Sequence, residues 1–322
     1  MKTTKHIILT FFSLVLIIST LTAKDLNPTY SLSASGGVTD LVYKNQKLYV
    51  ATTASSVDIF DIPTKSKIDS IKIPKIKDFM GDEINSKIYS VDVLDNKILI
   101  LSQGNKGGRA INIYENGKFH EIISDTKRMF IARAKFLDEN RIIFALLSNQ
   151  LFIYDLKENK RIKEVQISQS KFSHFKLDEK KKNIVVADES GNLKMLNSSN
   201  LEVEKIFKNK NLDNVFQVDI KNNHIITAGQ DRRCVVYDFD KESAYYKEAS
   251  FLIYSAALNP NATIGAFASD EENNITVFDI ASQKSLYTLK QNPALITNIL
   301  FINDNEVFVS SDHEKINYYK ID

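Results

Sequence analysis

The sequence predicts an all-β chain folded as a seven-bladed β-propeller, and three observations carry that prediction. A strand closing on an aromatic–acidic pair or a close variant of it recurs seven times: VDIFDI (57–62), INIYEN (111–116), LFIYDL (151–156), LKMLNS (193–198), CVVYDF (234–239), ITVFDI (275–280) and INYYKI (316–321). Their starts lie 54, 40, 42, 41, 41 and 41 residues apart. A fixed period of roughly 40–45 residues, with strands inside each unit, is the mark of propeller blades. No helical periodicity of useful length interrupts the series.

Taken in order, the chain begins with Lys2 and Lys5, an apolar run over 7–18, and small polar residues leading to Ala23 before Lys24 and Asp25. This pattern predicts an export signal over residues 1–23, with an uncleaved anchor as the alternative because 7–23 nearly reaches the length of a span. No Cys follows the run, which excludes a lipid-modified cysteine there. The propeller is then one domain, residues 24–322, placed outside the cytoplasm. Residues 27–35 alternate as a strand before the first full unit, while the last unit stops after its third strand. The N-terminal strand is therefore expected to complete the last blade and close the ring, which leaves no open sheet edge at the junction.

Each unit repeats inner strand, turn, second strand, turn, closing strand, turn, outer strand. The inner strands are expected at 38–43, 88–94, 131–137, 172–177, 215–220, 253–258 and 296–302. Asn- and Asp-rich turns such as 95–96, 222–223 and 303–305 follow them, as hairpin geometry requires. Second strands such as 97–101 and 141–147 are apolar on both faces, which suits blades packed on both sides. Outer strands at 67–73, 161–167, 202–207, 243–249 and 285–290 are more polar, as exposed edges should be. The first-to-second unit spacing is about 13 residues too long, and the excess divides between residues 74–86 and the turn 103–109. Residues 75–86 are the one place where a helix could interrupt the strands.

Charge removes some functions. Taking away Lys2 and Lys5 with the signal lowers the 42 basic residues to 40, equal to the 40 acidic ones. A neutral chain gives no electrostatic case for nucleic acid or for a stable membrane association after signal cleavage. A single cysteine, Cys234, permits no internal disulfide and reads as a small buried hydrophobe.

The units resemble WD-repeats. TAGQDRRCVVYD (227–238) is similar to that family's second-strand, turn and third-strand segment, with Asp231 at the turn position and Tyr237-Asp238 where Trp-Asp is usual. Phe60-Asp61, Tyr154-Asp155 and Phe278-Asp279 repeat it. The chain departs from the family in having no Trp and no Gly-His pair before the inner strands, and Asn197 and Lys320 replace the expected Asp, so the family's bracing polar network is expected to be incomplete. In export signal, length and Lys/Asn-rich composition the whole chain also resembles the NapL-type accessory proteins of periplasmic nitrate reductase systems. That resemblance implies a non-catalytic periplasmic protein partner for nitrate reductase subunits, acting in assembly, maturation or activity of the enzyme.

A search for chemistry finds little. His120, His174, His224 and His313 lie in different units without a second ligand at metal spacing and read as strand-edge or turn residues. There is no haem-attachment motif, no nucleophile elbow, and the carboxylate pairs fall in turns. No catalytic residue, cofactor or metal site is expected; the alternatives are a general envelope-protein scaffold, or an enzyme or small-ligand binder using the central channel, for which the inner-strand ends show no convincing polar cluster. Residues 104–109, GNKGGR, could cradle an anion through backbone N–H groups, or form a ligand-free hairpin tip. In a propeller this turn and the connection 74–86 emerge on one face. Lys75, Lys77, Phe79, Met80 and Arg109 are therefore expected to form a protein-docking patch, extended by Arg128, Met129 and Phe130 and by Arg232 within 231–233. The alternative is that Phe79 and Met80 only pack the long loop onto its own blade.

Overall fold

The computed structural model describes residues 23–321; apart from Ala23, the expected export signal lies outside them. Seven antiparallel sheets follow one another along the chain. The first blade is made of Val38–Lys44, Lys47–Thr52, Ser56–Asp61 and Ser66–Lys72, in that spatial order. The next six begin with inner strands Ile88–Leu94, Ile131–Phe136, Phe172–Leu177, Val215–Lys221, Ala256–Leu258 and Ile296–Phe301. The fold is a WD-repeat-like seven-bladed propeller.

Only the sixth inner strand departs clearly from its expected span, starting at Ala256 instead of residue 253. The reason is that the preceding segment bonds backwards to the fifth blade. The Ile253 N–H donates to the Gly229 carbonyl at 3.2 Å, and the Ser255 hydroxyl donates to Gln217 Oε1 at 2.7 Å.

The ring closes as expected. Tyr30–Ser33 pairs antiparallel with His313–Lys320 and forms the outer strand of the seventh blade. Its Tyr30 ring stacks on Tyr318 at 4.4 Å between centroids, and Leu32 is buried between the seventh and first blades. A feature not expected from the sequence precedes it. Lys24–Leu26 runs parallel to Ser285–Leu289, giving the sixth blade a fifth strand.

The hydrophobic core is divided into layers. Among the described residues, seven clusters of buried apolar side chains occur, and each spans two adjacent blades. In one of them Leu99, Leu101, Ile111 and Ile113 of the second blade face Ile131, Phe136 and Phe144 of the third. This is why second and third strands are apolar on both sides: each sheet buries both faces against its neighbours. Cys234 belongs to such a layer and is fully buried, and burial pushes its thiol pKa up, which fits a packing role.

Residues 75–86 do not form a helix. Ile76–Lys77 and Glu83–Ile84 pair as a short hairpin. Asp78 dictates it: its Oδ1 accepts the N–H groups of Met80 and Asp82 at 2.8 and 2.9 Å. Gly81 follows at φ +93°, a conformation that favours glycine.

Candidate functional site: the connection face and the central channel

Turns between second and third strands share one face of the ring with the connections between blades, and hydrogen bonds tie them together. The Lys77 N–H donates to Asn105 Oδ1 at 3.0 Å, joining the long hairpin to the turn of the second blade. Asn105 in turn donates its backbone N–H and its amide to Asp125 Oδ2, at 2.8 and 3.0 Å, reaching the connection to the third blade. A Cβ on Gly104 or on Gly108 would collide with Asp125, so glycine permits this close approach. The Gly-rich turn thus does present an N–H to an anion, but that anion is the chain's own Asp125.

The predicted docking residues separate into three groups. Phe79, Met80 and Phe130 are exposed, at 79, 87 and 57 % of their full surface. The Phe79 ring lies over Gly107, whose Cβ position is 3.0 Å from the ring Cζ, so the side chain is seated yet open. Lys75, Lys77 and Arg128 surround them and are also exposed, with Lys75 3.2 Å from Glu83. Arg109 and Met129 are different. Arg109 stacks on Tyr89 at 3.9 Å and donates to the Ile131 carbonyl at 2.5 Å, while Met129 packs against the layer between the second and third blades. Both are bracing residues, because the second-to-third blade junction needs a donor and an apolar plug there. Arg232 is exposed on the same face but belongs to the fifth blade, so it is not contiguous with Phe79. It lies in the turn whose Asp231 Oδ2 accepts the Leu212 N–H at 2.7 Å.

Leu212 is one of two apolar residues that sequence reasoning missed, with Leu295 the other. Both stand in otherwise polar blade connections, as Phe79 and Met80 do, and that common placement was the available signal. The pattern is selective. Among the described residues, every large apolar side chain exposed outside the strands (Phe79, Met80, Phe130, Leu212 and Leu295) lies in a connection on this face. The remaining ones, such as Ile68, Ile162 and Tyr246, lie on outer strands.

The bracing network of the fifth blade is more complete than expected. Asn211 stands in the blade connection and accepts from the Thr227 hydroxyl at 2.9 Å while donating to Asp231 at 3.2 Å. Thr227 Oγ1 also accepts the Val235 N–H at 3.0 Å. An Asn amide therefore links the blade connection to the turn Asp without the missing Gly-His pair.

The inner strands carry a second arrangement. A polar residue next to a register shift accepts an N–H from the following blade. Asp40 Oδ2 accepts from Val91 at 3.1 Å, Ser90 Oγ from Ala134 at 3.1 Å, and His174 Nδ1 from Val218 at 3.4 Å. Gln217 Oε1 accepts from Ala256 at 3.3 Å, and Ser255 Oγ from Ile299 at 3.1 Å. Two residues further along, Asp92 and Asp219 do the same for Phe136 and Leu258, at 2.8 and 3.0 Å. At the first position Arg133 of the third blade and Asn298 of the seventh accept no such bond, the Leu41 N–H turning instead to Asp40 Oδ1 at 3.2 Å. At the second position the other blades carry Val42, Ala257 and Leu300 or the cations Lys135 and Lys176. Cations have no acceptor to offer.

These cations converge on the channel. Arg133 Nη2 and Lys135 Nζ approach the two oxygens of Asp40, across the ring, at 3.5 and 3.0 Å. Burial alone would raise the Asp40 carboxyl, but the guanidinium and ammonium outweigh it and hold its pKa below the usual carboxylate value. Lys176 lies 3.3 Å from Asp219. They line a cavity of about 300 Å³, which also contains His174 and, on the opposite wall, Ala257, Leu258 and Phe301. The channel therefore does hold a polar cluster, contrary to the expectation from the sequence. His174 is a buried inner-strand residue, not a turn or strand-edge one. Strand alternation was the signal for it: Arg133/Lys135, His174/Lys176 and Gln217/Asp219 each sit two apart, on one side of an inner strand.

No protein-family model and no curated protein matches this sequence. Among solved structures, the chain is similar to one in "Crystal Structure of Mitotic Checkpoint Complex", with a TM-score of 0.76 and 11% identity over 99% of each chain. At that identity the likeness speaks for the propeller fold alone.

Proposed function

We propose that this protein is a non-catalytic scaffold that captures a protein partner on its connection face. The observation that carries the reading is the sorting of exposed apolar side chains. Phe79, Met80 and Phe130 stand on two consecutive connections, held by the bonds through Asn105 and Asp125, and no such residue is exposed in the turns of the opposite face among the described residues. Aromatic and Met side chains are enriched in interface cores, and Lys75, Lys77 and Arg128 supply a polar rim. Loops on a rigid ring can offer such a patch at little ordering cost.

The finer reading rests on the resemblance alone: an exported, periplasmic accessory protein that supports assembly, maturation or activity of a periplasmic nitrate reductase. Nitrate reductase activity per unit of enzyme protein, assayed with an artificial electron donor in periplasm with and without this gene, tests it. A drop without the gene supports the reading, and unchanged activity removes the assembly and maturation roles. The docking face is tested separately with Phe79→Ser, Met80→Ser and Phe130→Ser combined. Arg109 is left in place because its substitution would loosen a blade junction. The variant is expected to keep its thermal midpoint and to lose most capture of reductase subunits from periplasmic extract. Equal capture by the folded variant would remove this face from the proposal.

A further inference from the structure

The channel cluster goes beyond the scaffold reading and does not rest on it. At the first of the bracing positions five blades place an acceptor and at the second two do, whereas Arg133, Lys135 and Lys176 place a cation there. Lys135 still braces the ring, donating to the Val91 carbonyl at 2.6 Å and to Asp40 at 3.0 Å, but Arg133 and Lys176 take a desolvation cost and offer no acceptor to the backbone of the next blade.

Two donors there also lack partners. Arg133 Nε and His174 Nε2 are buried and without a hydrogen bond. His174 is only 7 % exposed, and its Nδ1 accepts the Val218 N–H, so its proton sits on Nε2. Burial holds the imidazole neutral, with the positive charges of Arg133, Lys176 and Lys135 adding to the effect. Lys176 keeps about a third of its side chain open and faces Asp219. Buried donors without acceptors are costly, and each calls for an explanation, such as a group that binds there.

We propose that the channel wall formed by the third and fourth blades binds the carboxylate of a small, singly charged organic acid, with Arg133, His174 and Lys176 as donors. The charge balance argues for one negative charge. Five cations and five carboxylates line the cavity, so a polyanion would meet as much repulsion as attraction, whereas one carboxylate set against the cation-bearing blades would not. The opposite wall argues for an organic body: Ala257, Leu258, Leu300 and Phe301 are apolar. At about 300 Å³ the space suits a small molecule, at the lower end of ligand-pocket sizes. Tyr43, Asp178 and Glu179, at the end of the inner strands, also line it. The cavity therefore opens towards the turns between first and second strands, on the face away from Phe79 and Met80.

The test is calorimetric titration of the purified protein with butyrate, propionate and, as an inorganic oxyanion, nitrate, repeated on Arg133→Gln and Lys176→Gln. The His174 imidazole is followed by NMR in the same titrations. Saturable butyrate binding at millimolar concentration or tighter is expected, stronger than nitrate binding. Each variant should weaken it by about tenfold, the scale of one charge-assisted hydrogen bond, and the His174 signals should move with occupancy. Because the Lys176 side chain is partly exposed, Lys176→Gln is expected to fold and guards against loss of binding through unfolding. Absence of saturable butyrate binding, nitrate binding as tight as butyrate, or unchanged affinity in folded Lys176→Gln and Arg133→Gln would each overturn the proposal.

Discussion

His174 sits in the channel wall with its imidazole held neutral, and that makes a pH dependence. Burial lowers its pKa well below the ordinary histidine value, while in the unfolded chain it protonates near that value, about 6.5. Below roughly pH 6.5 the unfolded state therefore binds more protons than the folded one, and stability falls as pH falls until the depressed folded value is reached. One such group contributes a slope of up to about 1.4 kcal/mol per pH unit. His224 is lowered too, by burial outweighing the attraction of Asp238, so the wild-type profile carries two contributions. His174→Gln keeps an acceptor for Val218 and removes the titration. Thermal midpoints from pH 8 to pH 5 should fall less steeply for the variant, and parallel profiles would show that His174 is not held neutral. At this scale the sequence was a poor guide. Arg109 looked like a surface cation because it follows a Gly-rich turn, yet its partners Tyr89 and the Ile131 carbonyl come from residues 20 or more positions away. His174 looked isolated because its neighbours Arg133 and Val218 lie on other blades.

Strands were far more legible, since alternation and turn composition are local properties. The closing strands lie within a residue or two of their expected positions in six of the seven blades, and the seventh, His313–Lys320, begins three residues early because His313 already pairs with Ser311 across a tight turn at Asp312. Two elements were not legible. Lys24–Leu26 is a three-residue strand whose only reason to exist is the free edge of Ser285–Leu289. The hairpin at 76–84 depends on one Asp side chain and one positive-φ glycine. The two N-terminal strands should therefore differ in weight. Leu32 is buried in a layer with Val38, Phe60 and Phe308, whereas Leu26 is only partly buried at an outer edge. Leu32→Ala should cost about 2–4 kcal/mol, as for other buried Leu truncations, and Leu26→Ala less than about 1.5 kcal/mol. Urea denaturation of both variants measures this. Equal losses would mean that the closing strand is not what seals the ring.

On the scale of the whole molecule, the regular spacing made seven blades legible, but not the way the blades depend on one another. Each buried apolar cluster is shared by two adjacent sheets, so an isolated blade would expose both of its apolar faces. The polar rings along the inner strands repeat this logic, with a side chain of one blade capping an N–H of the next. Because Tyr30–Ser33 joins the last blade to the chain's beginning, the series has no terminal blade from which unfolding could start cheaply, unlike an open array of repeats. Unfolding should then be a single cooperative transition despite the length of the chain. With no Trp and 13 Tyr spread along it, tyrosine fluorescence and far-UV circular dichroism report on the ring independently, and their urea transitions should coincide. Val185→Ala, between the fourth and fifth blades, and Leu32→Ala, at the closure, should move both probes together to lower urea. If Leu32→Ala instead separated the two probes into distinct transitions, the blades would be folding as an open array, and closure would be a local contact and not the source of cooperativity.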